Sequence, residues 1–258
     1  MGAVSALKAA VSTVRDNPIL VGVAFVVGLL QFVLQLIPLL GSLATVFLRP
    51  FVVAGVLGMA NRAFDEGTAL GDFTESGTSN YASLLGAFLL LVGGTFVASF
   101  LLTGLLVVFG VVSMGAGLHG NGGLAAGLGL SVALVLVAVL VVVLVAGMVV
   151  QFINVAIVVG GASATGSFKQ SYLVFRENPT SVVGYTLLQF VLLGFTLGIP
   201  TAFAFASASR HSVALTLASI VVGAVFVGLG LGVSRTYQTT YYRERAAASP
   251  TIRLPVAE

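Results

Sequence analysis

The sequence contains no cysteine. That excludes disulfides, thiolate metal sites and a cysteine nucleophile, and it leaves the redox compartment undetermined. Charge is scarce as well: 7% of the 258 residues are Asp, Glu, Lys or Arg, against about 25% in an ordinary soluble domain. A soluble fold of this size needs charge on its surface to stay dissolved. Catalytic signatures are missing too, with no P-loop, HExxH, GxSxG or dinucleotide fingerprint. His119 and His211 stand alone in turns, short of the three or four ligands a metal site needs. No enzymatic activity, cofactor or metal is therefore expected.

What is present is apolar. Hydrophobic residues make up 58% of the chain, and the mean hydropathy is +1.14. Most of the outer surface must lie against lipid. The net charge of +3 reports topology in such a chain, and no nucleic-acid partner is expected.

A bilayer core of about 30 Å takes about 20 apolar residues as helix. Backbone groups in lipid must be paired internally, so each long apolar run reads as a helix. A β-barrel would need short alternating segments, and runs such as 130–150 are apolar almost throughout. Six runs qualify: about 19–40, 43–59, 82–113, 124–159, 182–206 and 213–233. The first is longer than a signal-peptide core and has no small-residue cleavage site after it, so it reads as a retained span. The third and fourth exceed one bilayer thickness and should tilt, bend near Gly93–Gly94 or project beyond it. The fold class expected is all-α, a polytopic transmembrane bundle of six spans.

With the N-terminus inside, Lys8, Arg15, Arg62, Lys169, Arg176, Arg235, Arg243, Arg245 and Arg253 all fall on the cytoplasmic side. Only Arg210 falls outside, and Arg49 lies within a span. This is a strong positive-inside bias. It places the protein in the cell membrane as a multi-pass chain with both termini cytoplasmic. The acidic cluster Asp65, Glu66, Asp72 and Glu75 reads as a solvated loop face.

An internal repeat organises the chain. Residues 7–18 read LKAAVSTVRDNP and residues 168–179 read FKQSYLVFRENP. At an offset of 161, Lys8, Arg15, Asn17 and Pro18 match Lys169, Arg176, Asn178 and Pro179. In the first segment Val4, Leu7, Val11 and Val14 share one helical face, while Ser5, Lys8, Ser12 and Arg15 share another. Each segment reads as an amphipathic interfacial helix whose cations reach lipid phosphates. Asn-Pro then ends it and starts a span. More weakly, Gln31 parallels Gln189, and Gly55, Arg62 and Phe64 parallel Gly228, Arg235 and Tyr237. Leu70, Phe73, Gly77 and Tyr81 suggest a third unit. The bundle is expected as three hairpins in one domain over 1–242, with parallel repeat units at about 4–66, 67–160 and 166–242. Residues 243–258 read as a flexible cytoplasmic tail.

The stretch from Pro50 to Ala60, with Phe73, Tyr81 and Leu84-Leu85 after it, resembles a signature of uncharacterised haloarchaeal membrane proteins. More distantly, it resembles the membrane domain of glycerophosphodiester phosphodiesterases. The resemblance implies a six-span fold and no activity. Ala54 stands where a second glycine is expected.

Arg49 is the one formal charge within a span and hence a candidate site. It lies roughly 12 Å from the outer helix end, where it either snorkels to outer-leaflet phosphates or holds an anion or lipid. Gln31 and Gln35 lie one turn apart on the first span, with Gln189 at the equivalent depth of the fifth. Gln151 and Asn154 read as sharing a face, as do Thr95, Ser99 and Thr103. Such midplane groups either line a substrate path or bond helices together. Gly123/Gly127 and Gly228/Gly232 have the spacing of close helix contacts. The expected function is a non-enzymatic membrane scaffold or lipid-associated protein, partnered by membrane lipids. The alternative is a small transporter or channel with a midplane polar site. A membrane-protein partner or a second copy is left open.

Overall fold

The computed structural model describes residues 2–35, 37, 40–65, 67–118, 122–209, 212–249 and 251–252. Side chains are described at these positions except 31–33, 35, 40, 42, 105–106, 109–110, 112–118, 122–132 and 208. Among the described residues all regular structure is helical. The helices are α1 (Ala3–Asp16), α2 (Pro18–Gln35), α3 (Leu40–Arg62), α4 (Leu70–Ser79), α5 (Tyr81–Leu118), α6 (Gly122–Val150), α7 (Ile153–Val158), α8 (Ala164–Glu177), α9 (Pro179–Ser209) and α10 (Val213–Ala248). Five segments are long and apolar enough to cross a membrane: Leu43–Arg62, Tyr81–Gly104, Ala133–Val158, Pro179–Ser207 and Val213–Ala248. Helix α2, taken with α1, is a sixth candidate.

A short helix precedes a long pair three times along the chain, and each short helix stops at an asparagine: Asn17, Asn80 and Asn178. Asn17 Nδ2 donates back to the Thr13 carbonyl at 3.0 Å, and Asn80 Nδ2 to that of Ser76 at 3.1 Å. Pro18 and Pro179 open α2 and α9, where a missing N–H costs no helical bond. Helix α1 meets α2 at 90°.

Helices α1 and α8 bury matching positions at the offset of 161. Ala6, Ala10 and Thr13 are buried in one, Ser167, Ser171 and Val174 in the other. Lys8, Val11 and Arg15 are exposed, as are Lys169, Tyr172 and Arg176. The valine face of α1 is thus split. Val14 is buried, whereas Val4 and Val11 point out of the protein. Small side chains let the α1 backbone approach its neighbours, so the alanine seam and not the valine stripe faces inward.

The core is aromatic. Tyr185, Tyr237, Tyr241 and Phe152 are all buried, with ring centroids 4.6–5.5 Å apart between Tyr185 and each of Phe152, Tyr237 and Tyr241, and between Phe152 and Tyr241. Such ring pairs add about 0.5–1.5 kcal/mol beyond their area. Around this core, α3 is the central helix, with 56% of its most apolar window buried. The corresponding share is 11% in Tyr81–Gly104 and in Pro179–Ser207, and 0% in Ala133–Val158. The chain therefore has a packed base, beyond which α5, α6 and α9 leave most of their apolar side chains exposed.

The sequence boundary between bundle and tail at position 242 falls inside α10, which continues to Ala248. Contacts hold the extension. Arg243 forks onto Asp65 at 2.9 and 3.1 Å. Arg245 donates to Asn178 Oδ1 at 3.1 Å and to Ser181 Oγ at 2.7 Å.

Candidate functional site

Polar side chains collect about one helical turn from the aromatic core. Gln151 adjoins Phe152, Gln189 follows Tyr185, Arg235 precedes Tyr237, and Arg49 precedes the buried Val53. They mark the boundary between the packed base and the exposed apolar lengths of the helices.

Arg49 sits on α3 just before Pro50 and is exposed. Its guanidinium carbon lies 5.9 Å from the Phe88 ring centre, within cation–π range. It opens on a cavity of 590 Å³ between α3 and α5, lined also by Leu91, Val92, Phe96, Thr95, Ser99 and Asn154. It opens on a second cavity of 240 Å³ as well, lined by Thr45, Val27, Val56 and Leu231 and, from α10, by Arg235.

The sequence picks out Arg49 but passes over Arg235, because hydropathy ends the last span before it. A signal was present. Arg235 occupies the place of Arg62 in the repeat, and Arg62 has acids within reach. Arg62 pairs with Asp72 at 2.6 Å and with Glu75 at 2.9 Å. No acid follows Arg235 until Glu244, and its Nη1 bonds the neutral Gln238 Oε1 at 3.0 Å.

Gln189 occupies a different cavity, of 340 Å³ between α6 and α9, with Gln151 and Thr186. Its Nε2 donates to Ser234 Oγ, and its Oε1 is buried without a hydrogen-bond partner among the described residues. Gln151 Nε2 donates to Thr186 Oγ1 at 3.1 Å, and Gln238 donates to the Gln151 carbonyl. No described cavity joins Gln189 to Arg49. The side chains of Gln31 and Gln35 lie outside the described residues, as do His119, Arg210 and His211.

One expected face is not a face. Gln151 and Asn154 look into different cavities, because the helix breaks at Gln151–Phe152 between α6 and α7. Thr95, Ser99 and Thr103 follow at helical spacing on the unbroken α5; Thr95 and Ser99 line the Arg49 cavity, and Thr103 lies a turn beyond it.

The acidic cluster is also more than a solvated face. Asp72 is buried; it accepts the Ala69 N–H at 2.8 Å, the Thr68 hydroxyl at 3.1 Å and the Arg62 pair. The Ala69 hydrogen bond, then Thr68 and the Arg62 charge, hold its carboxyl below the usual aspartate range. Asp65 ties α3 to α10 through Arg243. Glu66 lies outside the described residues. In the repeated motif Lys8, Arg15, Lys169 and Arg176 are exposed cations, and Asn17, Pro18, Asn178 and Pro179 form the helix junctions.

Helices this long, this apolar and this exposed define an α-helical membrane protein. The chain belongs to the family of a domain of unknown function, DUF7847, which matches residues 1–245. No curated protein and no solved structure matches it.

Proposed function

We propose that this protein is a non-enzymatic, lipid-associated membrane scaffold of six spans, with both termini cytoplasmic. Its three short–long–long units are parallel repeats, and α1 and α8 lie in the interface. The observation that carries the reading is the exposure of α5, α6 and α9 beyond the packed base. Helices that enclose a solute path bury their inner faces; few residues of the most apolar windows of these three are buried. Lipid fills the clefts between them. The exposed Val4 and Val11 beside Lys8, and Tyr172 beside Lys169, suit an apolar anchor flanked by cations that reach phosphates. The likeness to haloarchaeal membrane proteins and to the membrane domain of glycerophosphodiester phosphodiesterases agrees in class and adds no activity.

The test is delipidation. Protein purified in mild detergent should retain lipid through gel filtration. Stripping that lipid should lower the melting temperature, and adding back extracted lipid should restore it. Equal stability with and without lipid, together with solute flux in proteoliposomes, would refute the scaffold and favour the transporter.

A further inference from the structure

The geometry points to a phospholipid site in which Arg49 and Arg235 hold the phosphate and an acyl chain lies in the α3–α5 cleft. The inference rests on the lipid-associated reading and gives that reading a site and a ligand chemistry.

Two cations from different helices face one cavity of 240 Å³. Neither has a carboxylate partner among the described residues, whose ion pairs are Arg62 with Asp72 and Glu75, and Arg243 with Asp65. Arg62, the repeat counterpart of Arg235, is neutralised where Arg235 is not. A guanidinium offers five N–H donors. Among the described residues Arg235 has one bond to a neutral acceptor, and Arg49 has only the Phe88 ring. Like charges that share one cavity repel, and an anion between them removes that cost. Phosphate suits two planar forks better than a halide or a single carboxylate does.

The second cavity decides which phosphate. A free anion would need only the smaller space. Arg49 also opens on 590 Å³ walled by Phe88, Leu91, Val92 and Phe96. That is a site for a ligand with a phosphate at one end and a hydrocarbon chain at the other. Thr95, Ser99 and Asn154 line the same cavity and can bond the ester or glycerol oxygens between them.

Native mass spectrometry of the whole protein in mild detergent tests this. The probes are dioctanoylphosphatidylglycerol, dioctanoylglycerol and inorganic phosphate. The wild type should retain one phosphatidylglycerol, with dioctanoylglycerol at least tenfold weaker and inorganic phosphate displacing the lipid only in large excess. Arg49→Gln and Arg235→Gln should each weaken retention at least tenfold, Arg49→Lys less, and Arg62→Gln not at all. If the glutamine variants fail to fold, Ser99→Trp, which fills the cleft, should weaken phosphatidylglycerol and leave inorganic phosphate unchanged. Equal retention of dioctanoylglycerol overturns the phosphate site while leaving a lipid-associated protein. Inorganic phosphate binding as tightly as the lipid makes this a free-anion site. Retention of neither lipid overturns both readings.

Discussion

Gly228→Ala tests a close backbone approach between α10 and α2. A Cβ at Gly228 would stand 2.6 Å from Phe25 Cα and 2.9 Å from Phe25 N on α2. Carbon atoms normally settle at about 3.5–4.0 Å, so α2 would have to withdraw by roughly 1 Å. The obstacle is backbone, and no rotamer change relieves it. Overpacking of this kind costs about 1–3 kcal/mol. Against it stands the helix propensity of alanine over glycine, about 0.8–1.0 kcal/mol. The net expectation is a loss of up to about 2 kcal/mol, or a melting point lower by up to about 8 °C for a chain of this size. Two further glycines set the scale. Gly232 would meet Ala24 Cβ at an ordinary 3.7 Å, and Gly94 would meet nothing within 4 Å. Thermal melts followed by circular dichroism at 222 nm in one detergent should rank Gly94→Ala highest, Gly232→Ala close to wild type and Gly228→Ala lowest. If Gly228→Ala melts as high as Gly94→Ala, α2 and α10 do not meet at Phe25, and the seam that ties the first and last spans is wrong.

Asp72→Asn should cost about 2 kcal/mol, the scale of hydrogen bonds to a charged group, and should also flatten the acid limb of stability. The carboxyl is held below its ordinary value by the Ala69 N–H, Thr68 and Arg62. Its contribution is therefore full above the ordinary aspartate pKa and disappears as pH falls through the lowered one. Melts between pH 3 and 7 check this, and parallel wild-type and variant curves would refute it. Tyr242→Phe removes the 2.7 Å bond from a buried hydroxyl to Gln170 Oε1. It should cost about 1–2 kcal/mol, while the exposed Tyr172→Phe should cost almost nothing in the same melts. The cysteine-free chain permits single-thiol topology mapping. A membrane-impermeant maleimide applied to intact cells should label Gly120→Cys and spare Leu70→Cys and Ala247→Cys; the reverse pattern would invert the orientation.

Helix starts and stops were the most legible part of the fold, because they depend on local chemistry. Asn17-Pro18 and Asn178-Pro179 end one helix and begin the next where the sequence places them. The break at Gln151–Phe152 was not legible, since neither glycine nor proline marks it. It comes from packing: Phe152 joins the aromatic core and its N–H bonds the Ser171 hydroxyl at 3.2 Å. Tertiary packing also explains the tyrosines. Tyr237, Tyr241 and Tyr242 lie beyond the apolar run that ends at about 233 and just before the expected tail, yet all three are fully buried. Of the two arginines at the cavities, Arg49 could be found because it interrupts an apolar run. Arg235 stands among polar residues and becomes notable only when its lack of an acid is set beside Arg62.

The division of the molecule into a packed base and exposed apolar lengths has a physical cause. Lipid solvates an apolar helix as well as another helix does, so no hydrophobic force requires the outer lengths of α5, α6 and α9 to be buried. The forces that need water, or its exclusion from polar groups, act at the base. There the rings of Tyr185, Tyr237 and Tyr241 stack, Asp72 and Asp65 meet their arginines, and α1 and α8 close against α10. Every described charged residue except Arg49 and Arg235 belongs to this base or its surface. Those two stand at its edge, where packed protein gives way to exposed apolar helix and where a headgroup sits if lipid occupies the clefts. An arginine left unpaired by chance would be expected at the surface, where water screens it. Two that converge on one cavity from different helices are arranged for something that carries the missing negative charge.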